Sequence, residues 1–126
     1  RTQLHETDLD GCIRNAAVAI ESTCKSILDQ RNRAYPAKEQ LTDLWKAVKD
    51  ELGIGSQPEN EPMMGVAGSI TGVVKNLAGV RNKLSDAHGK GMVSPDLYRS
   101  YAELALNLSA TLVTYLVRRK MEVEQQ

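Results

Sequence analysis

A chain of 126 residues has room for one domain whose core needs no covalent staples. Its 41% hydrophobic and 25% charged residues are those of an ordinary globular protein. Sixteen basic residues balance sixteen acidic ones, which excludes a global field toward nucleic acid or membrane, so any polyanion must be met by a local patch.

The first element is predicted from Leu9 to Leu28, where Leu9, Cys12, Ile13, Ala16, Ala17, Ile20, Cys24, Ile27 and Leu28 recur at helical spacing and Asp8 is available as N-cap. Arg31-Asn32-Arg33 and the Tyr35-Pro36 step end it, since the residue before proline avoids the helical region. Cys12 and Cys24 lie ~18 Å apart on such a helix, beyond disulfide reach. Both are expected as buried thiols in a reducing compartment, the cytoplasm.

A second helix is expected from about Lys38 to Leu52, with Leu41, Leu44, Trp45, Val48 and Leu52 inward and Gly53 as its stop. Gly53 to Asn60 reads as a polar loop. Asn60-Glu61-Pro62 then combines a cap, an acid and a first-turn proline, and starts a third helix. Its expected inner face is Val66, Ile70, Val73, Val74, Leu77, Val80 and Leu84. Gly65, Gly68, Gly72 and Gly79 each cost up to ~1 kcal/mol of helix propensity, and close approach of another helix is the expected reason.

Ser94-Pro95 opens a fourth helix, with Leu97, Tyr101, Leu104, Ala105, Leu108, Leu112, Tyr115 and Leu116 inward, reaching about Met121 before a frayed tail from Glu122 to Gln126. Nothing alternates with period two. The expected fold is therefore all-α, a four-helix up-and-down bundle. No CxxC or HExxH spacing is present, so neither metal nor cofactor is expected. No run approaches ~18 apolar residues, so no membrane contact is expected either. The chain starts at Arg1, and a preceding N-terminal domain in the same protein is expected.

Chemistry concentrates in Arg81-Asn82-Lys83-Leu84-Ser85-Asp86-Ala87-His88-Gly89-Lys90-Gly91. If the third helix continues to His88, Gly89 takes the place of a C-terminal cap glycine. Arg81 and His88 then share one face two turns apart, at ~100° per residue, with Ser85 between them. Arginine offers a permanent fork for phosphate, and histidine shuttles protons near neutral pH. Lys83 and Lys90 add a positive rim. The pair would suit RNA cleavage without metal, the histidine serving the 2′-hydroxyl or the leaving oxygen and the arginine steadying the phosphorane. On spacing alone, a phosphate site and a cluster of cations answering the helix dipole are both open.

The run RNKLSDAHGKG, with AIESTCKSIL upstream and Leu44-Trp45 to Leu52-Gly53 between, resembles the C-terminal domain of abortive-infection (Abi) proteins, in the HEPN superfamily. Its hallmark is an arginine, a polar residue, and a histidine four to six residues on; here Asn82 follows Arg81 and six residues separate Arg81 from His88. The resemblance implies a helical bundle, commonly a homodimer, and a metal-independent endoribonuclease of phage defence or toxin systems acting on RNA. Arg81 and His88 become the catalytic pair, with Asn82 as polar partner. Chemistry asks for a dimer independently, because cleavage wants a base and an acid, and His88 is the one histidine near the site.

Glu21 and Lys25, spaced i, i+4, are either an exposed ion pair or a functional pair in which Lys25 meets phosphate and Glu21 orients Arg81. Asn82, Lys83, Ser85 and Asp86 complete the expected supporting set. Trp45 reads as core, Tyr101 as core rather than base-stacking, and His5 as solvated. The Arg118-Arg119-Lys120 cluster is explained by the helix dipole, or extends an RNA track. The alternative to an RNase is a catalytically inactive helical module that senses RNA or nucleotide, or dimerises, for another effector domain.

Overall fold

The computed structural model describes the backbone of residues 6–56, 61–87 and 95–125, and the side chains of 9–56, 62–81 and 99–125. The described residues form four helices: α1 (Glu6–Gln30), α2 (Leu41–Glu51), α3 (Glu61–Ala87) and α4 (Pro95–Glu124). The expected all-α bundle is the fold found, but the expected up-and-down order is not, because α1 and α2 run in the same direction.

The apolar stripe of α1 is buried as predicted, from Leu9 and Ile13 through Ala16, Ala17, Ile20 and Cys24 to Ile27 and Leu28; only Cys12 is half-buried. The stripe is broad because α1 packs against each of the other three helices. Asp8 is a correction: the helix already runs at Glu6, so Asp8 is inside it and not its cap.

Two helix ends fall near where the residues suggested, α2 at Gly53 as expected and α1 through Asn32 rather than the Tyr35-Pro36 step. Asn32 takes the left-handed conformation (φ 55°), and the amides of Asn32 and Arg33 return to the carbonyls of Asp29 and Leu28. Gly53 (φ 66°) does the same for α2, with the amides of Gly53 and Ile54 on the carbonyls of Asp50 and Lys49 and the Ile54 side chain buried. Both are Schellman ends, and each satisfies carbonyls that the last turn leaves open.

Helix direction follows from pairings along α1. The Ser109 hydroxyl donates to the Ala16 carbonyl (2.9 Å), and Arg31 lies 3.9 Å from Glu124, so α4 runs beside α1 in the same direction. Alanines 16, 17, 102 and 105 are all buried and permit that close packing. The connector after α1 turns back along it: Tyr35 bonds to Asp29 and Glu39 pairs with Lys25. Consequently α2 also points the way α1 does, its end held by Arg31–Glu51 (2.9 Å) and Arg33–Asp50 (3.0 Å). Simple alternation of direction resumes with α3, which runs against α2: Ala67 lies against Gly55, just past the end of α2, while Trp45 bonds to Thr71.

The inner faces of α3 and α4 are only partly as expected. On α3, Ala67, Val74, Leu77 and Ala78 are buried, but Val66 and Val80 are exposed, Val66 at 63%. On α4 the buried line is Ala102, Ala105, Ser109, Leu112 and Leu116, and Tyr101 (55%), Leu104 and Tyr115 face outward. Tyr101 is therefore not core. Both helices carry apolar residues around more than one side, and among the described residues they do not pack along each other as each packs on α1.

The glycines of α3 are a second correction. Among the described residues, a Cβ built at Gly65, Gly68, Gly72 or Gly79 meets nothing within 4 Å, so no described helix approaches there. Pro62–Arg81 also has the length and composition of a membrane-crossing helix, contrary to the expectation that no segment would. In this structure it is a bundle helix, packed on α1 and α2. The expected frayed tail is instead helical to Glu124, tied by Lys120–Glu124 (3.1 Å) as well as by Arg31.

Candidate functional site

Arg81 lies on the last third of α3, where that helix passes the middle of α1 and the start of α2. Its Nη1 is ion-paired with the Glu21 carboxylate, a link across sixty residues of chain between two side chains that are each about one-fifth exposed. A guanidinium held this way keeps its charge and has a fixed direction, because the carboxylate occupies one edge of the fork. Of the two accounts of Glu21, the pairing with Arg81 is the one found, and Glu21→Ala is expected to destabilise the fold by about 1–3 kcal/mol, measurable by urea denaturation.

Lys25, one turn along, does not pair with Glu21. Its ammonium meets Glu39 at 3.4 Å and lies 5.9 Å from the centre of the Tyr35 ring. Both partners belong to the connector that runs back along α1. The hydrogen bond to Asp29 pushes the Tyr35 hydroxyl above its usual range.

Cys24 sits one turn from Glu21 and is buried. Burial first, and the Glu21 charge second, push its thiol up to about 12. The thiolate form is thus suppressed in the folded chain, and a thiol reagent at pH 8 is expected to modify Cys12 well before Cys24. The sign for stability follows: above about pH 9 the unfolded chain loses this proton and the folded chain keeps it, so stability falls as pH rises toward 12.

The remaining expected site residues divide by position. Asn82, Lys83, Ser85 and Asp86 follow Arg81 in the helical backbone of α3, and their side chains lie outside the described residues. His88, Lys90 and His5 also lie outside them. Trp45 is core, as expected, with its indole N–H donating to the Thr71 hydroxyl at 3.0 Å. In the Arg118-Arg119-Lys120 cluster, Arg119 donates to the Leu52 carbonyl at the end of α2 (3.0 Å) and Lys120 pairs with Glu124, so two of its three cations serve the bundle.

Beside Arg81 the structure adds something that the sequence reading passed over. A pocket of about 270 Å3 lies between the start of α2 and α3, lined by Gln40, Leu41, Thr42, Lys75, Ala78, Gly79 and Arg81. Lys75 is the one charged residue from Pro62 to Val80, and a lone cation in so apolar a stretch was the available signal.

Compared with known families, residues 1–120 match the family model Abi_C, described as a HEPN-like domain. No curated protein and no solved structure matches the chain.

Proposed function

Since the chain belongs to the HEPN-like Abi_C family, we propose that it is the metal-independent endoribonuclease domain of a phage-defence or toxin-type protein, cutting RNA with Arg81 and His88. The observation that supports this reading is the Glu21–Arg81 pair, which holds the arginine of the Arg81–His88 run in a fixed direction. In the reaction the RNA 2′-oxygen forms a bond to phosphorus and the bond from phosphorus to the 5′-oxygen breaks. One imidazole takes the 2′-hydroxyl proton and one delivers a proton to the leaving oxygen, leaving a 2′,3′-cyclic phosphate. Arg81 faces the extra negative charge of the phosphorane.

Two imidazoles call for two copies of His88, hence a homodimer. The open glycine face of α3 suits that contact: Gly65, Gly68 and Gly72 leave the helix surface low, and exposed Met63 and Val66 flank it. Changing these three glycines to alanine adds methyl groups that meet nothing among the described residues, so each is expected to stabilise the monomer by about 0.5–1 kcal/mol. The same triple variant is expected to shift the dimer to monomer in sedimentation; an unshifted dimer would place the contact elsewhere.

The direct test is incubation of wild type and His88→Ala with mixed-sequence RNA in EDTA, with analysis of product ends. Cyclic-phosphate ends from wild type alone are expected. A second reading, an inactive module that binds RNA or nucleotide for another domain, is favoured by the same Glu21–Arg81 pair taken as purely structural. It predicts binding without cleavage from either protein.

A further inference from the structure

The pocket between α2 and α3 carries two cations and no carboxylate among its lining residues. Arg81 enters from the candidate site, and Lys75 stands on α3 nearly two turns before it. Gly79 lines the same pocket, and a Cβ there would meet nothing within 4 Å among the described residues. Its opposite wall is the first turn of α2, where Gln40, the N-cap residue, makes no side-chain bond to the helix amides. Thr42 adds a hydroxyl to that wall. At about 270 Å3 the cavity is wide enough for one tetrahedral oxyanion and its first waters.

We propose that this pocket is a subsite for one phosphate group of the bound RNA, with Lys75 as its anchoring cation and Arg81 shared between the subsite and Glu21. The proposal rests on the RNase reading above and deepens it: a phosphate seated here sets the register of the strand relative to Arg81. Lysine suits the task, since a point charge on a flexible stem holds a phosphate without selecting a base.

The test uses wild type and Lys75→Gln, with an RNA oligonucleotide whose 2′-hydroxyls are methylated so that it is bound and not cut. Affinity is measured across a salt series, with and without a 5′-phosphate on the oligonucleotide. In parallel, inorganic phosphate is titrated while the amide resonances of Thr42 and Gly79 are followed. The expected result is a salt slope lower by about 0.7 in Lys75→Gln, irrespective of base sequence. Phosphate-induced shifts at Thr42 and Gly79 should appear in wild type and vanish in the variant. A slope difference seen only with the 5′-phosphorylated strand would assign the pocket to a terminal phosphate and overturn the register role. Equal slopes for both proteins, with wild type still cutting unmodified RNA in EDTA, would overturn the subsite and leave the RNase reading standing. Loss of both binding and cutting in wild type would remove the RNase reading itself, and the subsite with it.

Discussion

Arg81→Ala is expected to lower the rate of RNA cleavage in EDTA by roughly 100- to 1,000-fold, and His88→Ala by roughly 100- to 10,000-fold. The arginine effect has two parts. Loss of the guanidinium removes charge stabilisation from the phosphorane, and it also leaves the Glu21 carboxylate, one-fifth exposed, without this partner. Two companions separate them. Arg81→Lys restores the charge without the planar fork, so it should recover stability more fully than activity. Glu21→Gln keeps a hydrogen-bond acceptor for Arg81 and removes the opposing charge, so it should disturb turnover less than Arg81→Ala does. Cleavage rates under single-turnover conditions, read beside urea denaturation of each variant, check the whole set. If Arg81→Ala cut RNA at the wild-type rate, the pair would be structural and the catalytic assignment would fall.

The largest effect on stability is expected at Trp45. Its ring is fully buried between α2 and α3, and its N–H is matched by the Thr71 hydroxyl at 3.0 Å. Truncation to alanine should cost about 3–5 kcal/mol, which is a large share of the ~5–15 kcal/mol available to a domain. Trp45→Phe retains much of the volume and loses the donor, so a smaller loss of about 1–2 kcal/mol is expected. Because Thr71 also reaches the Ala67 carbonyl at 3.4 Å, its hydroxyl keeps a partner when the indole is gone. Thermal melts of Trp45→Ala, Trp45→Phe, Thr71→Val and the Phe/Val double variant give the cycle. Additive losses in the double variant would show that the indole–threonine bond contributes nothing beyond packing.

Cysteine labelling gives a third and cheaper check on the packing around the site, because Cys24 lies beside Glu21 and reports whether that region is closed. Fast labelling of Cys24 at pH 8 would mean that the α1 face carrying Glu21 opens readily, and the burial that holds its thiol near 12 would not describe the chain in solution.

How far the site was legible depends on which residues are considered. Arg81 and its spacing to His88 are visible in the chain because both belong to one local run. Glu21 is sixty residues away, and its pairing with Arg81 requires knowing that α3 passes the middle of α1. Spacing along α1 pointed equally to Lys25, which the connector claims through Glu39 and Tyr35. The pocket at Lys75 was legible only as a lone charge; its walls come from two helices.

The sequence by itself determined the four helices, their approximate limits and the buried faces of α1 and α2. Those are local properties: a single apolar stripe at 3.6-residue spacing leaves one orientation that hides it, and Gly53 supplies the left-handed residue that ends α2. Only the tertiary structure decided the rest. In α3 and α4 the apolar residues exceed one face, so which of them is buried depends on where α1 and α2 lie. Ala102 and Ser109 are covered while Tyr101 and Leu104 are not, because small residues let α4 settle closely on α1, and that preference is a property of the pair of helices rather than of either alone.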